Sequence, residues 1–124
     1  MVLALKENKG LIGFSFAWNG LKEMGKERNF RIHMIATLLV MIAGFYLDLN
    51  RLEWIVIILV IGIVLVSETF NSVVEQIIDY LKPEIHPKAK IIKDMSAGAV
   101  LLATITAVIV GLTIFLPKIT QLLL

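Results

Sequence analysis

Three apolar runs organise the chain. Ile32 to Leu47 contains no Asp, Glu, Lys or Arg. Trp54 to Ser67 is again uncharged, and its helical pattern continues through a polar face to about Tyr80. Met95 to Leu116 adds 22 uncharged residues, enough to cross about 30 Å of hydrocarbon. The first run is short for a span, and Arg31 makes up the difference by snorkelling. The pattern predicts three transmembrane helices, over about residues 30–47, 54–80 and 90–116. Ahead of them, residues 11 to about 28 read as an amphipathic surface helix. Ile12, Phe16 and Leu21 face lipid there, while Lys22, Lys26 and Arg28 meet anionic headgroups. Gly10, Gly13, Gly20 and Gly25 blur its ends. Asp48 to Arg51 forms a tight turn, and Asn50 with Glu53 has capping-box spacing at the head of the second span. Trp54 then serves as an interface anchor. Pro83 and Pro87 bracket a loop from Lys82 to about Ala89, and Pro117 is the expected end of the third span. The fold class is all-α and integral to a membrane, a single membrane domain over residues 1–124.

Composition agrees with that reading. A chain of 124 residues that is 58% hydrophobic, with mean hydropathy +0.87, is too apolar for a soluble domain of this size. Cysteine is absent, which excludes disulfides and thiolate chemistry. Lys6, Glu7 and Lys9 interrupt the first ten residues, so no cleavable signal is expected. Charge sets the topology. Residues 1–33 hold six Lys/Arg against three Glu, and residues 81–93 hold four Lys against one Glu. The positive-inside rule places both on the cytoplasmic side and the C-terminus outside.

The chemistry is concentrated on the second span. Glu68, Asn71, Glu75 and Asp79 recur at i, i+3, i+7 and i+11 and fall within roughly 80° of one another on a helix. A lone acid near a bilayer centre costs about 2.5–3.5 kcal/mol, and stacked acids also repel. A divalent cation is the simplest compensation. Glu68 and Glu75 lie inside the apolar run, where a mere packing role explains them poorly. Asp79, near the helix end beside Tyr80 and Lys82, fits a supporting role equally well. Glu27 and the Lys93-Asp94 pair are ordinary boundary charges in isolation, but the topology brings Glu27, Glu75 and Lys93 to one membrane face. His33 and His86 lack ligand spacing. Ala99, Ala103, Ala107 and Gly111 form a small-residue stripe suited to close helix packing.

Several chemistries are excluded. The chain has no phosphate-binding Gly-x-x-x-x-Gly-Lys-Ser/Thr loop, no protein-kinase loop signature, and no Ser-His-Asp or zinc pattern. Its basic residues are too few and too close to the membrane for a nucleic-acid reader.

Glu68-x-x-Asn71-x-x-x-Glu75-x-x-x-Asp79 followed by Lys93-Asp94-Met95 resembles the bacterial integral-membrane diacylglycerol kinase and undecaprenol kinase family. The likeness extends through Trp18-Asn19-Gly20-Leu21 and Glu27-Arg28-Asn29-Phe30-Arg31, and covers roughly residues 9 to 116. It implies a homotrimer with active sites shared between subunits, and ATP- and Mg²⁺-dependent phosphorylation of a lipid hydroxyl. By matching position, Glu68 takes the hydroxyl proton and Asn71 orients Glu68 or the substrate, with Trp18 beside the lipid. Glu27 and Glu75 hold Mg²⁺ on the ATP phosphates. Lys9, Glu84, His86, Lys93 and Asp94 complete the nucleotide contacts. Lys9 stands where the diacylglycerol kinases have Arg, Phe16 where they have Tyr, and His33 where they have Glu. Those departures, with the Arg28–His33 and Ser96–Leu101 stretches, favour undecaprenol over diacylglycerol. A small oligomeric cation conductor also accounts for intramembrane acids, but not for Glu27 or Lys93-Asp94 at the boundary.

Overall fold

The computed structural model describes residues 9–81 and 86–124, with side chains from residue 13 onward. Four helices follow one another: α1 (Lys9–Met24), α2 (Arg28–Tyr46), α3 (Arg51–Tyr80) and α4 (Pro87–Leu123). The last three are long and apolar enough to cross a membrane.

α1 ends earlier than its charge pattern suggests. At Gly25 the chain leaves the helix through a tight turn, in which Lys26 N–H donates to the Glu23 carbonyl and Glu27 N–H to the Met24 carbonyl. Arg28 therefore opens α2 instead of closing α1. Phe14, Phe16, Trp18 and Leu21 stay exposed along α1, as a helix lying on a bilayer requires.

The α2–α3 connection follows the predicted turn closely. Asp48 takes a left-handed backbone conformation, φ 54°. The Asn50 side chain accepts from Glu53 N–H at 2.9 Å, and Glu53 Oε1 accepts from Asn50 N–H at 2.9 Å, completing the capping box. Trp54 leans against Phe45 with ring centroids 4.8 Å apart. Lys118 Nζ lies 3.1 Å from Glu53 Oε1, tying the far end of α4 to the start of α3.

Two expectations for α4 are corrected. It begins at Pro87, shortening the expected loop, because Pro is pre-organised for the first helical turn and His86 caps it. It also runs through Pro117 to Leu123. Proline removes one N–H and frees the carbonyl four residues earlier, which ends helices in water. In a long apolar helix the flanking turns hold the geometry, and Thr113 and Thr120 hydroxyls each donate to the carbonyl four residues back.

The core lies along α3, which packs chiefly on α4 and secondarily on α2. Ile57, Val64 and Ala103 are buried there. Most other large apolar side chains of the spans point outward, as lipid or a neighbouring chain demands. Thirty residues make α3 about 45 Å long, well beyond the hydrocarbon thickness of about 30 Å. Counting from Arg51, Glu68 sits about 26 Å along this helix and Glu75 about 36 Å. If α3 enters the bilayer near Arg51, Glu68 lies just inside its far boundary and Glu75 just beyond it.

Candidate active site

The acidic face of α3 is graded by burial. Glu68, Asn71 and Ser72 are buried, at 3%, 6% and 3% exposure. Glu75 is half-buried and Asp79 exposed. The helical spacing does align the four, but only the first two are enclosed by the neighbouring spans.

Glu68 is approached from another span. His33 Nε2 of α2 lies 3.7 Å from Glu68 Oε2. Glu75, two turns along α3, and Glu27, at the mouth of α2, are also close enough to act on Glu68 through space. Glu27 occupies the N-cap of α2 yet makes no side-chain capping bond. Its half-buried carboxylate makes no ion pair among the described residues, and the repulsion among the three acids favours a cation.

Asn71 carries the most informative atom. Its Nδ2 donates to Glu75 Oε1 at 3.4 Å. Its Oδ1 is buried and has no hydrogen-bond partner among the described residues. Such an acceptor costs about 1–3 kcal/mol, so it calls for a donor from outside the chain. Two turns from Asn71 along α3, and one from Glu68, Val64 lines an apolar cavity of about 390 Å³ among α2, α3 and α4. His33, Thr37, Val64, Ala107 and Phe115 are among its lining residues, and His33 is its one titratable member.

Other predicted residues lie towards the Tyr80 end of α3 and on α1. Lys93 Nζ pairs with Asp79 Oδ1 at 2.6 Å, joining α4 to α3. Asp94 pairs with Lys90 at 2.6 Å. His86 Nδ1 accepts from Lys88 N–H at 3.1 Å and caps α4. Trp18 is exposed on α1. The Lys9 side chain and Glu84 fall outside the described residues.

Among the described residues, no three acids or histidines converge into an all-protein metal cage. Mg²⁺ does not need one, since it commonly takes one or two carboxylates and fills its octahedron with phosphate oxygens and water. The uncapped Glu27 and the amide-bonded Glu75 fit that donor set.

The sequence reading missed the His33–Glu68 pairing. The available signal was an imidazole set between Ile32, Met34 and Ile35, a position that rewards a polar partner. Ser72, buried beside Asn71, was also unforeseen.

The family model for prokaryotic diacylglycerol kinase matches residues 15–115. Undecaprenol kinase of Bacillus subtilis is 39% identical over 112 residues, covering 90% of this chain and 91% of the relative. Diacylglycerol kinase of Synechocystis is 38% identical, covering 91% of this chain and 66% of the relative. Diacylglycerol kinase of Escherichia coli K12 is 33% identical, with coverage of 76% and 78%.

Proposed function

From the premise that the chain belongs to the prokaryotic diacylglycerol kinase family, membrane enzymes that phosphorylate lipids, we propose that it transfers the γ-phosphoryl group of ATP to undecaprenol. The observation that carries this reading is the buried Asn71 Oδ1, without a partner among the described residues, one turn from Glu68, with an apolar cavity opening at Val64 a further turn along α3. A lipid hydroxyl donates one hydrogen bond and trails an apolar chain, which is what that arrangement can accept.

The roles follow from position. Asn71 Oδ1 receives the hydroxyl as it arrives, and its Nδ2 keeps Glu75 in place. Glu68 takes the hydroxyl proton while the oxygen attacks the γ-phosphorus in line and the bond to ADP breaks. Glu27 and Glu75 hold Mg²⁺. When bound, the ion neutralises charge on the β- and γ-phosphates. Lys93, held by Asp79, brings a cation to the same rim, and Lys9, Glu84, His86 and Asp94 border the nucleotide. Trp18 lies on the surface helix, where the lipid enters. The basic N-terminal segment and the segment before α4 face the cytoplasm, so ATP approaches from water and the alcohol from the bilayer. Three protomers assemble with shared sites.

Undecaprenol is preferred because Phe16 and His33 leave little to recognise ester and hydroxyl groups of a glyceride headgroup. Identity of 39% to an undecaprenol kinase supports the same choice. The test is a competition between undecaprenol and diacylglycerol in one detergent, with limiting ATP. A missing polar contact is worth about 1–3 kcal/mol, so kcat/KM should favour the polyprenol by about one to two decades. A preference for diacylglycerol would overturn the substrate assignment and leave the lipid-kinase activity standing.

A further inference from the structure

Glu68 is 3% exposed, so a proton it takes from a lipid hydroxyl has no direct way to water. One turnover would leave it protonated and unable to act as a base again. The only basic side chain within 4 Å of it, among the described residues, is His33. Its Nε2 is 3.7 Å from Glu68 Oε2, and its side chain is 21% exposed against 4% for that of Glu68. His33 lies five residues into α2, about 8 Å from that helix's start. Catalytic hydrogen bonds are often long without substrate and tighten when it binds.

We propose that His33 is the proton exit of the active site, a positioning residue that accepts from Glu68 the proton taken from the lipid hydroxyl. This rests on Glu68 being the base. The sequence of events balances. The hydroxyl O–H bond breaks and its proton goes to a Glu68 carboxyl oxygen. The new O–P bond forms as the P–O bond to ADP breaks. The carboxyl turns about its terminal torsion, which is broad and two-fold, and presents the proton to His33. Nε2 takes that proton, and Nδ1 releases its own toward the cytoplasmic rim. Glu68 returns to carboxylate and His33 to neutral imidazole.

The surroundings favour this direction. Glu27 at the mouth of α2 and Glu75 on α3 add negative charge beside the pair. On α4 the nearby charges are already satisfied, Lys93 by Asp79 and Lys90 by Asp94.

The experiment measures kcat and KM against pH for the full chain in detergent, for wild type, His33→Gln, His33→Ala and Glu68→Gln. Gln keeps an N–H near Glu68 but takes no proton. His33→Gln should lose at least about tenfold in kcat with lipid and ATP KM little changed. The acid limb of the wild-type pH profile should change in that variant, because Glu68 alone is left to shape it. Added imidazole should restore His33→Ala in proportion to its free base, and should not restore Glu68→Gln. Wild-type kcat in His33→Gln overturns the relay. So does a loss confined to KM, or a kcat loss with an unchanged pH profile and no imidazole rescue. An active Glu68→Gln overturns the base and the relay together. If wild type accepts only diacylglycerol, the substrate reading fails, and the same comparison on that lipid still decides the relay.

Discussion

Asn71 and Glu75 are bound to each other, and their roles separate by mutation. Asn71→Leu replaces an unsatisfied acceptor with an apolar group of similar size. That gain is set against the loss of the long hydrogen bond to half-buried Glu75, so the thermal midpoint in detergent should change little. Activity should fall more than tenfold, because the hydroxyl loses its acceptor. A drop in both stability and activity would mean that Asn71 serves packing alone. Glu27→Gln and Glu75→Gln should each raise the Mg²⁺ concentration for half-maximal activity, since each removes one of two anionic ligands. Unchanged half-saturation in both would remove them as ligands. The helical period alone was enough to single out Glu68 and Asn71, because spacing along one helix is written in the sequence. Their contrast with exposed Asp79 was not, since burial depends on which neighbours close over each turn. His33 was overlooked for the same reason: its distance to Glu68 is fixed by how α2 lies on α3.

At the scale of elements, the α2–α3 hairpin holds the site in register from the opposite end. A Cβ built on Gly44 would come 2.6 Å from Trp54 Cη2 and 3.0 Å from Leu49 Cδ1. The indole is wedged between the two helices and against Phe45, so it has little room to move. Gly44→Ala should therefore destabilise the chain by about 1–3 kcal/mol, read as a lower thermal midpoint in detergent. Replacing Trp54 with the smaller Phe in the same chain should recover part of that loss, which ordinary helix propensity would not do. The hairpin was readable in advance because its determinants are local: Asn50 and Glu53 cap within one turn. Pro117 was misread because the rule that proline ends a helix describes chains in water. Along α4 the apolar surroundings make an open turn costlier than a single freed carbonyl.

The whole molecule is larger than one chain in one respect: its surface. Leu38, Leu39 and Ile42 on α2, Ile58 and Leu59 on α3, and Leu101 and Leu102 on α4 all point outward. Lipid covers some of that area, and in the proposed trimer neighbouring chains cover the rest. The site itself has the same open character. Glu27 and Glu75 are two carboxylates without a third protein ligand among the described residues, and Glu27 reaches the others from the turn between α1 and α2. A neighbour's α1–α2 turn could supply that carboxylate to another chain's Glu68. If sites are completed across subunits in this way, chains inactivated by Glu68→Gln and chains inactivated by Glu27→Gln should rescue each other when co-assembled. In a random mixture some interfaces pair an intact Glu68 with an intact Glu27, and activity should return at a fraction set by the mixing ratio. The measurement is phosphorylation by mixed trimers purified through two different affinity tags, against each variant alone. Mixed assemblies as inactive as their parents would place Glu27 and Glu68 of each site in one chain, which the intramolecular proximity seen here already permits. Partial recovery would show that the oligomer, and not the protomer, is the catalytic unit.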